Sequence, residues 1–484
     1  MATSSIAVAS LLVALLFHWW FKRPSVKHIK GPPSPSFWLG HQRVLRNQDN
    51  AGDLETKWCR EYGTLYRTEG GLGQDILVVC DSKALEHIFD PSCPYPKSKE
   101  IIFVLSLIGG KDGLAIVDGE PHHRQRKILN PAFSSAQLRN SRVIFQQCSD
   151  KLVDCIKESL TGADDIVDIH DWTSKVSLDI IGLAFFRYDF CSLDGLETEL
   201  EQAMRHLFTA SQANPSAPEL ILVTLIRMLP DSVLGLLRLV PIREIRQLLS
   251  IEKVAKKTAR EIMARHNEVQ TPEGDGDIVN ILAGARLAGK MQDDEIEAQL
   301  MTFVTAGHET SSSKLKQSND YDSMPFLNAA IKESLRLHPN MHSLMRTAPH
   351  DDVLPLSKGK TLAVPKGQTF ACSAYLYNRL PSLWGDDAEE WNPARFFDTT
   401  LSVSRGVYAN LMTFGAGPRS CIGWRFAIME TQTIIANLIL HFEFGLPEGG
   451  IEIMQFPGSP AVVPIVKGKA HLGSQLPLRV RALT

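Results

Sequence analysis

The chain has 484 residues, with 51 lysines and arginines against 54 aspartates and glutamates, so its formal net charge is −3. Hydrophobic residues make up 44% and charged residues 22%, which excludes a wholly disordered or collagen-like chain. The near-neutral balance provides no basic footprint for nucleic acid, and we expect no nucleic-acid partner. Eight scattered cysteines without a C-x-x-C pair are typical of reduced thiols rather than of a disulfide scaffold.

The first predicted element is an uncharged apolar stretch over residues 2–21. As a helix it would span roughly 30 Å, the thickness of a bilayer core. Trp19 and Trp20 stand where an interfacial aromatic belt is expected, and Lys22 and Arg23 follow at once. Because the positive charges lie on the C-terminal side, the pattern predicts an uncleaved single-pass signal anchor with the body in the cytosol. A cleaved signal peptide and a buried core helix are the alternatives.

Residues 22–36 are basic and rich in proline, and they separate the predicted anchor from the rest of the chain. The run Gly31-Pro32-Pro33-Ser34-Pro35 has fixed φ angles and missing amide donors, which makes it stiff. We interpret it as a hinge that leads into one large domain at residues 37–484.

The periodicity of this domain predicts a mainly α fold with a minor β part. Helical periodicity covers residues 144–160, 172–186, 196–213, 243–268, 294–310 and 424–441. Short strands are predicted at residues 66–67, 76–79, 361–364, 369–371 and 478–480. The glycines at 70–73 form a turn between two strands, which is not the strand–helix setting of a dinucleotide fingerprint.

The most informative stretch, residues 414–423, reads FGAGPRSCIG and is followed by an apolar helix. A thiol near a helix N-terminus is expected to have a lowered pKa, because the helix dipole stabilises the thiolate. Such a thiolate at Cys421 is a natural axial ligand for haem iron. Gly423 would let a flat macrocycle approach the backbone, Arg419 could neutralise a propionate, and Phe414 could shield the sulfur. The alternative is a buried structural cysteine.

This loop resembles the cysteine-ligand loop of the cytochrome P450 haem-thiolate monooxygenases. The resemblance extends over nearly the whole chain and is greatest to membrane-anchored fungal members. It implies the cytochrome P450 fold and a haem group (iron protoporphyrin IX) ligated by Cys421, with Phe414, Gly415 and Gly423 beside it. It also implies O₂ as co-substrate, and NADPH as electron source through a flavoprotein reductase, because the chain holds no flavin or dinucleotide domain. The implied location is the endoplasmic reticulum membrane, with the catalytic body on the cytosolic side.

Glu333 and Arg336 lie in a helical run, where an i,i+3 spacing puts them on one face. Such pairs are usually solvated surface ion pairs. In register before the cysteine loop, however, this pair resembles the E-x-x-R of the family, with Arg395 as the implied third partner. The resemblance gives it a structural role.

The segment Ala306-Gly307-His308-Glu309-Thr310 resembles the oxygen-activating part of the family's long central helix. Gly307 would remove bulk where dioxygen must fit, and Glu309 and Thr310 would relay protons during oxygen activation. The alternative for the threonine is a hydrogen bond to its own helix backbone.

Residues 119–127 resemble the helix that grips the haem propionates. His122, where the family often has tryptophan, and Arg126 can both donate to a carboxylate. Arg346 and Arg419 complete the implied set of propionate ligands. The alternative is a basic surface face, which is our expectation for Arg124 and Lys127.

Two apolar segments, residues 101–108 and 217–240, match the regions that line the substrate pocket in the family. The second is equally consistent with plain core or with a lid that dips into the membrane. Together with the anchor they favour an apolar substrate, such as a terpenoid, polyketide or fatty acid of secondary metabolism.

The chain departs from the family between Thr310 and Glu333, where other members have several tens more residues. Here Ser311-Ser312-Ser313 runs directly into a polar, turn-like stretch. We hypothesise that a segment was lost at the 313/314 junction, in the gene model or in the gene. Two alternative functions follow: a non-catalytic or impaired haem-binding membrane protein, and a hydroperoxide isomerase of the same fold that needs no reductase. Glu309 and Thr310 argue against the isomerase, which imports no protons.

Overall fold

The structure is a computed structural model that describes residues 25–162, 165–207, 217–230, 234–239, 243–268, 277–308, 324–397, 406–456 and 461–483. The predicted anchor and the 313/314 junction lie outside these residues. Within the ranges given, none of the helices has both the length and the apolar character needed to span a bilayer.

Helices are the main secondary structure of the described chain. In chain order they are α1 (Gln42–Arg46), α2 (Asp53–Tyr62), α3 (Ser82–Ile88), α4 (Lys99–Gly109), α5 (Gly119–Leu129), α6 (Ser135–Ser159), α7 (Ile169–Ile181), α8 (Glu199–Leu207), α9 (Ala217–Met228), α10 (Arg243–Glu268), α11 (Ile278–Leu287), α12 (Asp293–His308), α13 (Pro325–Leu337), α14 (Ala374–Tyr377), α15 (Pro381–Trp384) and α16 (Trp424–His441). A short π-helical segment, Gly182–Phe186, continues α7.

The strands are short and form small sheets. They are β1 (Leu65–Glu69), β2 (Asp75–Val79), β3 (Asp165–Asp168), β4 (Ser343–Thr347), β5 (Asp352–Pro355), β6 (Thr361–Val364), β7 (Thr369–Ser373), β8 (Phe442–Gly445), β9 (Ile453–Phe456), β10 (Val463–Val466) and β11 (Pro477–Ala482). The largest sheet has the order β1-β2-β7-β4, with β2 and β7 parallel and the other pairs antiparallel. A second sheet has the order β3-β11-β8, and two hairpins pair β5 with β6 and β9 with β10.

The prediction of a mainly α fold with a minor β part is confirmed. The helices predicted at 243–268 and 424–441 have these same bounds, whereas the one predicted at 172–186 changes to π-helical geometry after Ile181. The helix predicted at 196–213 is described from Glu199 to Leu207. The positions of the predicted strands all fall within observed strands.

The main core lies where α6, α7, α12 and α16 pack together. Aromatic rings fill its centre: Phe145 meets Phe426 edge-on with ring centroids 5.0 Å apart, and Phe185 stacks on Phe426 at 4.5 Å. Phe303 of α12 contacts the same cluster through Phe185. Since α16 begins directly after the cysteine loop, this core fixes the position of that loop.

The described part of residues 22–36 lies against the largest sheet. The amide of Val26 donates to Asp75 Oδ2 at 3.0 Å, and the amide of Arg67 donates to the carbonyl of Lys30 at 3.0 Å. From residue 25 onward, the segment that we interpret as a hinge is therefore bonded to β1 and β2 before the chain enters α1.

Candidate active site

The cysteine loop is held by its own backbone. The amide of Cys421 donates to the carbonyl of Phe414 at 2.8 Å, which closes the loop. Gly415 and Gly417 have φ angles of +71° and +65°, a region that side chains with a Cβ rarely adopt. A Cβ on Gly417 would also lie 2.2 Å from the carbonyl oxygen of Phe89. The glycines are therefore required by the fold of the loop.

Cys421 is exposed, although its surroundings are dense enough for burial to raise the pKa of the thiol. A hydrogen bond from the Gly423 backbone and the charge of Arg126 act in the opposite direction without reversing the shift. Our prediction of a lowered pKa is wrong for the free thiol, because desolvation outweighs the helix N-terminus.

Gly423 is the N-cap residue of α16 and has an ordinary φ of −89°. A Cβ built on it would meet nothing closer than a ring atom of Phe133 at 3.5 Å, an ordinary contact distance. The described neighbours would therefore accommodate a methyl group at position 423.

Arg126 of α5 joins the N-terminal half of the chain to the cysteine loop. Its Nη1 donates to the carbonyl of Ser420 at 2.7 Å and to that of Pro418 at 2.9 Å. Arg419 reaches in the other direction, pairs with Asp118 and donates to the carbonyl of Leu114. The two arginines therefore connect the loop to residues 114–126.

Two further basic side chains that the sequence predicted, His122 and Arg346, are buried, at 3% and 4% exposure. The guanidinium of Arg346 lies 5.0 Å from the ring of Phe89. Lys97, which the sequence analysis missed, forms a β-bridge with Arg346, and its Nζ donates to the carbonyl of Ala115 at 2.6 Å. The bridge joins positions far apart in sequence, so no local pattern marked this lysine.

These basic groups repel one another. Burial, together with the charges of Arg419 and Arg126, lowers the pKa of His122 to about 3. Burial likewise lowers the pKa of Lys97 to about 7, and again Arg419 contributes. The single carboxylate of Asp118 cannot neutralise the whole cluster. A ligand with two carboxylates would relieve the repulsion, so the residues present fit the haem propionates.

Glu333, Arg336 and Arg395 are brought together as one buried network. Arg336 donates through Nε and Nη2 to the two carboxylate oxygens of Glu333 at 2.7 and 2.8 Å, and neither side chain is exposed. Arg395 Nε donates to Glu333 Oε1 at 3.0 Å and Arg395 also pairs with Asp387. Burial alone would raise the pKa of Glu333, but Arg336 and the amide of Asn392 hold it below its ordinary value.

Of the oxygen-activating segment, Gly307 lies in the last turn of α12, and Glu309 and Thr310 fall outside the described residues. Upstream in the same helix, Thr302 Oγ1 donates to the carbonyl of Gly109 at 3.1 Å. A Cβ on Gly109 would lie 2.8 Å from this hydroxyl. The end of α4 therefore packs closely against α12, a crossing that the sequence did not reveal.

A polar network between α5 and α12 was also missed. Gln299 Nε2 donates to Gln125 Oε1 at 3.0 Å, and Gln125 Nε2 donates to Glu295 Oε1 at 3.0 Å. Arg124 pairs with the same Glu295. Our expectation that Arg124 belongs to a basic surface face is therefore wrong, because it is half-buried and connects α5 to α12.

The two apolar segments predicted to line the substrate pocket are neighbours. Buried side chains of α4, α9 and α10 form an apolar cluster of their own, consisting of Phe103, Leu107, Leu222, Ile226 and Ile245. Arg227 of α9 pairs with Glu100 of α4 at 2.7 Å, and both side chains are nearly buried. This ion pair connects the two segments at the edge of the cluster.

Comparison with known proteins identifies the family. The family model described as Cytochrome P450 matches residues 30–318 and 314–471. The chain belongs to the cytochrome P450 family. Cytochrome P450 monooxygenase 205 of Postia placenta is 31% identical over 99% of this chain and 97% of its own length. Cytochrome P450 monooxygenase claO of Ampulloclitocybe clavipes is 30% identical over 98% of each chain.

Membership makes this P450 an oxidoreductase of the monooxygenase class with haem-thiolate iron as cofactor, and NADPH used through a reductase is typical of the family. The family model matches it in two overlapping segments that meet at 314–318. The alignment with the Postia protein spans 536 positions, more than the 484 residues of this P450. Some positions of the relative therefore have no counterpart here.

Proposed function

We propose that this P450 is a membrane-anchored monooxygenase that inserts one oxygen atom from O₂ into an apolar small molecule. The proposed substrates are terpenoid, polyketide or fatty-acid-like compounds of secondary metabolism. Electrons come from NADPH through a flavoprotein reductase in the endoplasmic reticulum membrane, with the catalytic body on the cytosolic side. One observation carries the proposal: the exposed thiol of Cys421 lies beside a cluster of basic side chains.

In this proposal the loop and the cations hold the cofactor. Cys421 provides the axial thiolate, and Phe414, Gly415 and Gly423 shape the loop around it. The residues that hold the propionates are His122, Arg126, Arg346, Arg419 and, from the structure, Lys97. The bound haem supplies the redox chemistry that activates oxygen. Because Arg126 also donates to two loop carbonyls, it couples propionate binding to the position of the thiol.

The proton path is assigned to the end of α12. Gly307 leaves space for dioxygen, and Glu309 and Thr310 hold and transfer protons through a carboxyl and a hydroxyl group. The pair Glu333–Arg336 with Arg395 has no part in the reaction. It is a structural network that fixes the segment before the cysteine loop.

The apolar cluster between α4, α9 and α10 supports an apolar substrate. Phe103 and Leu107 of α4 pack there against Leu222 and Ile226 of α9. Helix α4 also packs against α12 at Gly109. The apolar cluster and the proposed oxygen-activating helix, α12, are therefore both in contact with α4. A ligand between them would meet mainly hydrocarbon surface.

A second candidate function is a haem-binding protein with impaired catalysis. It is favoured by the two overlapping matches to the family model and by the excess of aligned positions over residues. Both support the proposal that a segment is missing at the 313/314 junction. Sequencing the transcript across codons 313 and 314 tests that step, because an uninterrupted transcript makes the deletion genuine.

The reduced carbon monoxide difference spectrum of the full chain distinguishes the two candidates. We expect a thiolate-type Soret band from the wild type, its loss in Cys421→Ser, and no change in Cys155→Ser as the matched control. A band of inactive haem, or a thiolate-type band without product formation, supports the second candidate, and a protein without haem contradicts both. The substrate class is tested next, by Soret shifts on titration with a terpenoid, a polyketide and a fatty acid, followed by product formation with reductase and NADPH.

A further inference from the structure

A cluster of side chains that can ligate a metal lies outside the proposed haem site, at the turn between β4 and β5. It consists of Cys93, His350 and Asp352, whose ligand atoms all lie within 4.8 Å of one another. Cys93 comes from the segment after α3, His350 from the turn, and Asp352 from the first position of β5. The site is therefore assembled from parts of the chain far apart in sequence.

The spacing of the atoms suits zinc. The Sγ of Cys93 lies 3.7 Å from the Nε2 of His350. A sulfur and a nitrogen on one tetrahedral Zn²⁺, at bond lengths of about 2.3 and 2.1 Å, are about 3.6 Å apart. Only a small adjustment would let both atoms reach one ion. Thiolate, imidazole and carboxylate are also the three ligand types that zinc takes in proteins.

The carboxylate of Asp352 is held in a fixed orientation. Its Oδ2 accepts hydrogen bonds from Tyr95 Oη and is paired with His87 Nε2, both at 2.8 Å. Its Oδ1 accepts one hydrogen bond, from the amide of Val353 at 2.7 Å, which leaves a lone pair free. A ligand supported in this way by a second layer of hydrogen bonds needs little reorganisation to bind a metal.

The cluster is accessible. His350 is exposed and Cys93 and Asp352 are half-buried, so an ion can enter from solvent. Three protein ligands leave the fourth tetrahedral position for water. On binding, the thiol of Cys93 would release its proton to solvent, and the thiolate, the neutral imidazole and the carboxylate would coordinate the ion.

We propose that Cys93, His350 and Asp352 bind a Zn²⁺ ion that fastens the segment after α3 to the turn after β4. The two connected segments already pair, since the amide of Thr347 donates to the carbonyl of Pro96 at 3.0 Å. They also carry Lys97 and Arg346, which bridge one another. The ion would therefore stiffen the strand pair that carries two of the buried cations, while taking no part in the oxidation.

Zinc binding by the purified full-length protein tests the proposal. We expect the wild type to bind one equivalent of Zn²⁺ more than Cys93→Ser or His350→Ala, measured by competition with a chromophoric chelator. Cys155→Ser, a thiol in α6, is the matched control and should bind as the wild type does. Tyr95→Phe keeps all three ligands but loses one support of Asp352, so it should bind about 10–100-fold more weakly.

A wild type that binds no zinc, or Cys93→Ser and His350→Ala variants that bind as many equivalents as the wild type, would overturn the proposal and leave a simple thiol–imidazole hydrogen bond. Cd²⁺ provides a readout on the wild type itself. A thiolate-to-cadmium charge-transfer band that persists in Cys93→Ser would also contradict it. The carbon monoxide spectrum should be unchanged in these variants, which separates failure of the zinc site from failure of the haem site.

Discussion

Glu333→Gln tests the buried ion-pair network that precedes the cysteine loop. The carboxylate accepts hydrogen bonds from Arg336, from Arg395 and from the amide of Asn392. A glutamine keeps one acceptor oxygen and turns an NH₂ group toward donors. The guanidinium of Arg336, which has no solvent exposure, would then remain buried without a counter-charge.

The expected loss is large relative to the stability of a protein. Removing one partner of a buried ion pair costs about 3–5 kcal/mol, whereas total free energies of unfolding are about 5–15 kcal/mol. The same substitution at Glu389 is the control, because its pair with Arg60 at 2.9 Å leaves these side chains 46% and 69% exposed. An exposed pair contributes about 0–1 kcal/mol. Urea unfolding measures both variants, and haem content per protein reports whether the cysteine loop survives.

The buried network also predicts how the free energy of unfolding depends on pH. The pKa of Glu333 is held below its ordinary 4.5, so the carboxylate stabilises the fold above that pH and loses this effect as pH falls through the folded-state value. The difference in free energy of unfolding between the wild type and Glu333→Gln should therefore become smaller at acid pH. If Glu333→Gln lowers the free energy of unfolding no more than Glu389→Gln does at neutral pH, the network does not stabilise this fold as argued.

Three further predictions concern the proposed haem site. Gly417→Ala should destabilise the protein more than Gly195→Ala in thermal unfolding, since both have positive φ but only Gly417 faces a carbonyl, that of Phe89, at 2.2 Å; equal losses would show that the loop can shift. Arg126→Leu should speed haem transfer to an acceptor protein by at least about tenfold, because it loses charge-assisted hydrogen bonds worth about 1.5–3 kcal/mol, and an unchanged rate would remove it from the propionate ligands. Thr310→Ala should divert NADPH consumption from product to peroxide, and unchanged coupling would exclude a proton relay through its hydroxyl.

The features that the sequence revealed are those encoded locally. The helix at 424–441 has an apolar periodicity that ends where β8 begins, and the glycines at 70–73 mark the predicted turn between two strands, which the structure shows to be paired. The cysteine loop could also be predicted, because three glycines, a proline and a thiol within ten residues define both a conformation and a chemistry. For such features the neighbours in sequence are the neighbours in space.

The features that the sequence did not reveal depend on contacts between distant segments. Lys97 is positioned by a β-bridge to Arg346, which lies far away in sequence. Arg124 connects α5 to α12 because it forms an ion pair with Glu295. The pKa of Cys421 was predicted from the nearby helix terminus, whereas burial by several remote elements decides it. Periodicity reports which face of a helix is apolar, and it does not report which charged side chains another element will cover.

The contacts that hold the cysteine loop connect the two sides of the 313/314 junction directly. Arg126 donates to Ser420, Arg419 pairs with Asp118, and helices α6 and α16 pack against each other. All of these partners are described, and none lies near the junction in sequence. Haem binding and proton delivery therefore depend on different parts of the chain, since Glu309 and Thr310 lie beside the junction. A lost segment would consequently impair the coupling of oxygen consumption to product more than the thiolate spectrum. Both measurements on one preparation would then show a thiolate-type band together with poor coupling.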